Sequence, residues 1–440
     1  MMMKYLSALA AAILSLSQTL NAQVEELSFF ETFELAWESA LDLNLARYQV
    51  DIASANNDVA YAKLFPQVNL FGQRSENELT YENNATYRDM NYPGTRIGLQ
   101  LRQTILNASD LSEARRQRLL VDLSRNNLAI TENELLDGLL KTFLEVLLKE
   151  SVVDQIETEI AALEVQLTEA QALYASKLIL VTQVLETQAR LDELKADAIS
   201  ASTEFLVARE QLVKFVGGRD VMPVAVKDRI SLMSRFSSSD DAVMLALKNS
   251  AYISSAEVKL AAAKKGVDRE RGSWVPNIEL LYNFQHSDVG FDNLSSPARD
   301  TSTIAVGFSY PIFEGGAGLA RLRGAWAEVF SAEAELQAAK LEVEAKARTA
   351  WLTLEAAGER VVATRQAVLA ATTSVAAAER AVKAGTARIT DVLLALATKT
   401  RAQGGLNTAI SEYAFAWTQL ELVAGADPKQ LAIRLSAALH

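Results

Sequence analysis

The sequence of 440 residues contains no cysteine and only two histidines, His286 and His440. Without cysteine the chain has no disulfide, no thiolate nucleophile and no cysteine-ligated zinc or iron–sulfur site. Basic residues are also scarce, because 43 Lys and Arg stand against 55 Asp and Glu, a net charge of −12. A broad face that neutralises phosphates needs the opposite sign, so we expect no nucleic acid as partner. We also expect no catalytic site, no metal site and no cofactor.

Long apolar runs are missing too. After residue 22, no stretch approaches the roughly 18 uncharged apolar residues that a transmembrane helix requires. Residues 1–22 carry one charge, Lys4, followed by an apolar run and a small residue, Ala22. This pattern is typical of a secretory signal peptide, and no cysteine follows it to carry a lipid anchor. We therefore expect an exported chain whose membrane-crossing elements are strands.

The sequence after the signal peptide repeats itself once. Four short segments recur in the same order at separations of 207 to 210 residues, namely those around Pro66 and Pro276, Ile105 and Ile312, Gln183 and Asp391, and Gly217 and Gly425. Four matches in order at a nearly constant offset indicate duplication of a unit of about half the chain. We expect a first efflux-type repeat over 23–232 and a second over 233–440.

Apolar residues spaced alternately four and three apart dominate each repeat. This spacing predicts long helices that pack against other helices along one seam. Such runs begin at Leu41, Val153, Leu191 and Val343, and alanine fills many of their positions, which allows close helix packing. The segment from Ser109 to Tyr174 has no proline and one glycine, Gly138, and predicts a single helix of roughly 100 Å.

Each repeat also contains two segments in which apolar and polar residues alternate. They predict four strands, near 67–74, 96–105, 277–286 and 302–310, with polar loops at 75–95 and 287–301. Aromatic residues at the strand ends and the signal peptide favour tilted membrane strands over the strands of a soluble domain. Four strands cannot close a barrel, so copies must share one. Two copies would supply about eight strands and three about twelve, and eight leave an interior that side chains fill.

Several segments in this arrangement resemble the TolC family of outer-membrane efflux channels. They are Phe65-Pro66 and Val275-Pro276 at helix-to-strand junctions, residues 310–316 around Pro311 where a strand returns to a helix, and residues 385–393 at a hairpin tip. The resemblance covers essentially the whole chain after the signal peptide. It implies a mainly α fold with a membrane β-barrel portion, in which a homotrimer shares a twelve-stranded barrel and an α-helical periplasmic tunnel.

The same resemblance implies a location and partners. The barrel would lie in the outer membrane lipid of a Gram-negative bacterium, with the helices extending into the periplasm. The trimer would act as a passive exit duct in tripartite efflux or type I secretion. It would dock onto a periplasmic adaptor protein and receive substrates from an inner-membrane transporter.

The resemblance further assigns residues at the hairpin tips. Gly385 looks like the turn glycine and Asp391 like a carboxylate that the family can place near the closed periplasmic entrance. Three copies of Asp391 would form an acidic ring, whereas in a second interpretation Asp391 only caps the returning helix. The first repeat has Lys177 and Gln183 at these two positions, which argues against strong cation selectivity. The candidate residues are therefore Asp391 and Gln183 for the tip gate, Gly385, Thr386, Arg388, Thr390, Lys177 and Thr182 for adaptor docking, and Pro66, Pro276 and Pro311 as structural junctions.

Two rival functions remain open at this point. A periplasmic adaptor also has a helical hairpin, and a soluble coiled-coil scaffold would use the alternating segments as linkers. The duplication and the four amphipathic segments favour the channel. The glycines at 316 and 318 resemble a dinucleotide-binding loop, but the third glycine position is Arg321, so we interpret them as a strand-to-helix turn.

Overall fold

The computed structural model describes residues 25–83, 86–227, 230, 232, 235–288 and 298–440. The predicted signal peptide at 1–22 lies outside these ranges, as does most of the predicted loop at 287–301. The described chain forms six strands and nine helices. They are β1 (Glu25–Leu27), α1 (Phe29–Ser39), α2 (Leu41–Ala62), β2 (Gln67–Asn83), β3 (Thr86–Leu106), α3 (Ala108–Ala175), α4 (Val181–Phe215), β4 (Val221–Pro223), α5 (Ser239–Asn249), α6 (Ala251–Gly272), β5 (Asn277–Ser287), β6 (Arg299–Ser309), α7 (Ala317–Lys383), α8 (Ile389–Val423) and α9 (Pro428–Leu439).

The chain divides into two compact units, and each contains segments of both predicted repeats. The strand unit consists of Leu45–Ile130 and Asn249–Val343. The helical unit consists of the described parts of Met1–Asn44, Thr131–Lys248 and Glu344–His440.

The strand unit contains one antiparallel sheet of four strands in the order β2-β3-β5-β6. Gln67 pairs with Arg102 in the first hairpin, Gln100 with Asn283 between the hairpins, and Asn277 with Ser309 in the second hairpin. Apolar side chains alternate along the strands as predicted. On β6, Ile304, Val306 and Phe308 are 72%, 70% and 80% exposed. Among the described strands, the two edge strands, β2 and β6, each have one neighbour.

The first hairpin is longer than the sequence pattern predicts. The predicted loop at 75–95 is wrong, because β2 continues to Asn83 and β3 begins at Thr86. The two strands pair without interruption from Gln67 opposite Arg102 to Asn83 opposite Thr86. Residues 75–95 show no regular apolar alternation in the sequence, so the pattern does not reveal the extension. β5 and β6 likewise extend slightly beyond the prediction, to Ser287 and from Arg299.

Two helices of the strand unit approach each other closely. A Cβ added at Gly272, the last residue of α6, would lie 2.6 Å from the carbonyl carbon of Ala108, the first residue of α3. Only glycine permits that distance. Nearby, Val267, Ala325 and Val329 are buried together and join α6 to the first part of α7.

The core of the helical unit is dominated by aromatic and leucine side chains. Its largest fully buried members are Trp417, Phe29, Phe33, Phe143, Leu43, Leu136, Leu139, Leu140, Leu212, Leu420, Leu431 and Leu435. The Phe29 and Phe143 rings meet edge to face with their centroids 5.3 Å apart. Each such side chain contributes about 1.5–3 kcal/mol by burial. This core joins the first described helix to the last.

The predicted helix seams have two different outcomes. On α4, the seam residues Leu191, Leu194, Ala201, Ala208 and Leu212 are buried, as the heptad spacing predicts. On α2, the seam residues Leu41, Leu45, Tyr48, Ile52 and Val59 are instead 52–77% exposed. This seam is not covered within the described chain, so its packing against other helices stays a prediction. The pattern marks an apolar stripe but does not say which chain covers it.

Two further features were not predicted. β1 and β4 form a small parallel sheet in which Glu26 is opposite Met222, and strands of three residues are too short to show periodicity. Among the described helices, α7 alone contains a stretch long and apolar enough to cross a membrane by length and composition. Only 11% of that stretch is buried, and alanine supplies much of its apolar character.

Candidate functional site at the hairpin tips

The helical unit has two helical hairpins whose tips have the same backbone conformation. One tip joins α3 to α4, and the other joins α7 to α8. The Leu178 N–H donates to the Leu173 carbonyl at 2.9 Å, and the Thr386 N–H donates to the Ala381 carbonyl at the same distance. The residue before each donor, Lys177 or Gly385, has a positive φ of 58° or 72°. Both helices therefore end in a Schellman motif.

Lys177 is the only described residue other than glycine with a positive φ. A side chain in this conformation brings its Cβ close to the backbone and costs about 1–2 kcal/mol, which glycine avoids. Gly385 has no neighbouring atom within 4 Å of an added Cβ. The two tips thus share one fold, but the first is strained and the second is not. The sequence alignment of Lys177 with Gly385 indicated this equivalence but not the strain.

Asp391 and Gln183 occupy equivalent positions, the third residue of α8 and of α4. The Asp391 carboxylate accepts a hydrogen bond from the Arg388 backbone N–H at 2.8 Å. The Gln183 backbone N–H donates to the Leu180 carbonyl at 3.2 Å, and α4 has no side-chain cap. Asp391 therefore makes a capping contact within its own chain, and its exposed side chain also faces solvent.

Asp391 and Thr390 line a cleft between the two hairpins, with a volume of about 350 Å³. Arg190, Arg401 and Glu159 line the same cleft. Arg401 Nη2 lies 3.1 Å from Glu159 Oε1 and joins α8 to α3. The lining of the cleft therefore carries both signs of charge, with Arg190 and Arg401 beside Asp391 and Glu159.

One of these arginines is held by neighbouring acids. The Arg190 Nη1 atom lies 2.6 Å from Glu193 Oε2, and this hydrogen bond, together with the charges of Glu193, Glu159 and Asp197, raises the pKa of Arg190 above its ordinary value. The pairing between the hairpins was not found from the sequence, because Glu159 and Arg401 are far apart along the chain and neither has a distinctive motif.

The candidate docking residues are grouped at the two tips. Lys177, Thr182, Thr386 and Arg388 are exposed, while Thr390 is half-buried. The Thr386 hydroxyl donates to the Ala381 carbonyl at 3.1 Å, so it reinforces the end of α7. Arg388 contributes only its backbone to the cap, which leaves its side chain available. The structure places no predicted docking residue in the core.

The three junction prolines lie at strand ends and are all exposed. Pro66 precedes β2, Pro276 precedes β5, and Pro311 follows β6. The turn before each of the first two is the same. The Phe65 N–H donates to the Ala62 carbonyl, and the Val275 N–H donates to the Gly272 carbonyl, both at 3.1 Å. Proline cannot continue the preceding helix, because it lacks an N–H and its ring blocks the α conformation of the residue before it.

A network of charges in the strand unit was missed by sequence reasoning. Glu113 of α3 accepts bonds from Arg116 at 3.0 Å, from Gln117 at 2.6 Å and from Arg269 at 3.2 Å. Burial alone raises the pKa of Glu113, but these hydrogen bonds and the arginine charge outweigh it and lower that pKa to about 2. The only sequence signal was the local spacing of Glu113 and Arg116, since Arg269 is distant.

The network continues toward the strand-to-helix turn after β6. Arg269 pairs with Glu270 at 2.7 Å, Glu270 with Arg321 at 3.3 Å, and Arg321 with Glu314. It connects α3, α6 and the start of α7. Among the described residues, no group of three or more His, Asp or Glu side chains is arranged to hold a metal ion.

Comparisons with known proteins agree with this architecture. The family model described as outer membrane efflux protein matches residues 33–218 and 242–426. The chain is 23% identical over 449 residues to "Proteases secretion protein PrtF" of Dickeya chrysanthemi, covering 99% of this chain and 95% of the relative. It is 23% identical to "Outer membrane protein TolC" of Escherichia coli K12, covering 88% of this chain and 81% of the relative.

Solved structures share the fold. The Campylobacter jejuni CmeC outer membrane channel superimposes with a TM-score of 0.77 at 15% identity, covering 94% of this chain and 90% of that one. The Vibrio cholerae outer membrane protein VceC gives a TM-score of 0.73 at 17% identity, covering 90% of this chain and 96% of that one.

Proposed function

The chain belongs to the outer membrane efflux protein family, and from this premise we propose that three copies form one passive exit duct through the outer membrane. The observation that carries the proposal is the open four-stranded sheet, in which β2 and β6 each lack an outer neighbour among the strands that the structure describes. An open edge is not tolerated in lipid, because its N–H and C=O groups would have no partners. Three copies would supply about twelve strands, enough for a barrel wider than one that side chains fill.

Exposed apolar stripes on the helices support the same assembly. Leu45, Tyr48, Ile52 and Val59 on α2 point away from the chain's own core. Their spacing is the knobs-into-holes spacing of packed helices. A second copy would cover such a stripe, and a monomer in water would leave it exposed.

We propose that the hairpin tips bind a periplasmic adaptor and that an inner-membrane transporter supplies the energy. The duct itself then makes and breaks no bond. The proposed docking residues are Lys177, Thr182, Gly385, Thr386, Arg388 and Thr390.

Arg388→Glu is the sharpest single test of docking, because the cap uses only the Arg388 backbone and the turn would survive. The matched control is Leu180→Glu, at the equivalent cap position of the other hairpin. Loss of adaptor co-purification with the first variant alone would assign docking to the α7–α8 tip.

Membrane fractionation followed by heat-resistant oligomer analysis tests the assembly. We expect the protein in outer membranes as a trimer that resists mild heating in detergent, and we expect discrete conductance steps in planar bilayers. A soluble monomer would instead support the scaffold, and an inner-membrane location without pores would support the adaptor.

The cargo class is proposed from the relatives. A relative named for protease secretion covers nearly the whole chain, which favours protein export beside the efflux that the family name describes. Deleting the gene and measuring drug sensitivity together with the secreted proteins separates the two. Lost secretion with unchanged drug sensitivity would assign export.

A further inference from the structure

The strand pairing within the sheet indicates how the sheet would pair with that of a second copy. Its two hairpins are related by duplication, so β5 corresponds to β2 at an offset of 210 residues and β6 to β3 at an offset of 207. The register of the hairpins tests these offsets independently. Gln67 pairs with Arg102 in the first hairpin, and the two offsets convert this pair into Asn277 and Ser309, the pair observed in the second hairpin.

Two contacts between duplicated strands are therefore equivalent. We call the observed pairing of β3 with β5 the inner seam, and the pairing of β6 with β2 of a second copy the outer seam. In an assembly with a closed barrel, the outer seam joins β6 to β2. These two strands correspond to β3 and β5, which the inner seam joins. Both seams are antiparallel, because consecutive neighbours in the sheet alternate in direction.

We propose that the outer seam repeats the register of the inner seam, so that Ala305 lies opposite Ser75, Val306 opposite Arg74, and Phe308 opposite Gly72 of a second copy. This inference rests on the proposed trimer. It follows from the inner pairs Gly98 with Gln285, Leu99 with Phe284, and Leu101 with Tyr282, converted by the two offsets. A slip by one residue would turn every side chain of one strand to the other face.

Side-chain sizes fit this register. Phe308 is 80% exposed, and an added Cβ at Gly72 would meet only Ile97, at 4.0 Å. A ring from the second copy could therefore lie over Gly72. The same pairing already exists within the sheet, where Phe71 is opposite Gly98 and its ring lies 2.5 Å from the place of an added Cβ. Aromatic rings that cover strand glycines help to fix register.

The residues after β6 fit the same arrangement. The inner seam has an irregularity between Thr104 and Leu106, and Pro311 stands at the position equivalent to Thr104. Proline is tolerated where a ladder is interrupted, because no N–H is needed there. Ile312 and Phe313 follow and are 89% and 85% exposed. At the outer seam, Phe313 would lie against Val68 of the second copy, which is itself 57% exposed.

Cysteine cross-linking tests the register without background, because the chain has no cysteine. The target variants are Ala305→Cys with Ser75→Cys, and Val306→Cys with Arg74→Cys. Two adjacent pairs are needed because neighbouring pairs alternate between the wide and the narrow type, and the narrow type is closer. Oxidation in native outer membranes should link three chains into a covalent trimer that a thiol reductant dissociates.

Matched controls define the result. Ala305→Cys with Gln73→Cys is displaced by two residues from the target pair. Such diagonal neighbours are about 7–8 Å apart, which is too far for a disulfide. The cross-linking yield of this control should therefore be roughly ten-fold lower than that of the target pair. Gln100→Cys with Asn283→Cys spans the inner seam and should form within one chain, without an increase in mass. Each single variant should stay uncross-linked.

The outcomes separate the register from the assembly. If the protein is a trimer by native sizing but cross-links preferentially at the displaced pair, the proposed register is wrong. The register is also wrong if the trimer forms no disulfide at either target pair while the inner-seam control does form its disulfide. A monomeric native protein would instead overturn the proposed function.

Discussion

Replacing Lys177 by glycine should stabilise the α3–α4 tip. Lys177 has a φ of 58°, a conformation that costs a residue with a Cβ about 1–2 kcal/mol. Glycine removes this strain but loses about 0.5–1 kcal/mol of additional chain entropy on folding. The central values of these two effects differ by about 0.75 kcal/mol in favour of glycine, which corresponds to a roughly two- to five-fold smaller population of the opened tip. The reverse change, Gly385→Lys, should destabilise the α7–α8 tip by a similar amount.

Hydrogen exchange at two amides measures both effects. The Leu178 amide should exchange roughly two- to five-fold more slowly in Lys177→Gly, because its bond to the Leu173 carbonyl opens less often. The Thr386 amide, bonded to the Ala381 carbonyl, should exchange faster by a similar factor in Gly385→Lys. Each tip serves as the internal control for the other. Unchanged exchange rates at both amides would show that the positive φ at this position does not affect the free energy of opening the tip.

Three other perturbations have defined outcomes. Glu113→Gln should lower the stability of the strand unit by about 2 kcal/mol, since the lowered pKa corresponds to about 3 kcal/mol before allowance for solvent screening. The pKa of Glu113 falls from 4.5 to about 2 on folding, so in the parent this contribution is complete above pH 4.5 and lost toward pH 2, and thermal melts against pH should show a weaker acid dependence in the variant. Glu421 is fully buried beside Arg235, and burial raises its pKa; the parent should therefore lose stability as pH rises through that pKa, and melts of Glu421→Gln should lack this loss. Asp391→Asn should change single-channel conductance or its block by multivalent cations if three copies form an acidic ring, whereas unchanged currents would leave Asp391 as a helix cap only.

Local signals in the sequence were sufficient for some parts of the fold. The seam on α4 was predicted because heptad spacing depends only on which residues are apolar, and its leucines are buried. The four strands were predicted because alternation marks a sheet with one apolar face. The extension of β2 to Asn83 was not predicted, because backbone pairing by itself leaves no pattern in the sequence and residues 75–83 do not alternate regularly between apolar and polar.

At the candidate site, too, some features were predicted from the sequence and others were not. The alignment of Lys177 with Gly385 and of Gln183 with Asp391 located both tips correctly as helix ends. It did not reveal that Arg190, Arg401 and Glu159 line the cleft beside Asp391. Those residues come from three helices, Arg401 is 242 residues from Glu159 in the sequence, and each residue taken alone has the appearance of a solvated charge on a helix face.

Residue types and their spacing were enough to predict the duplicated unit, the helix and strand periodicity, the lack of thiol chemistry and a set of four strands that is too small to close a barrel. The three-dimensional structure was needed to show which apolar stripe is covered within one chain, which acids and bases meet, and which register joins β3 to β5. Those features depend on the separation of residues in space, which residue type and spacing along a chain do not determine.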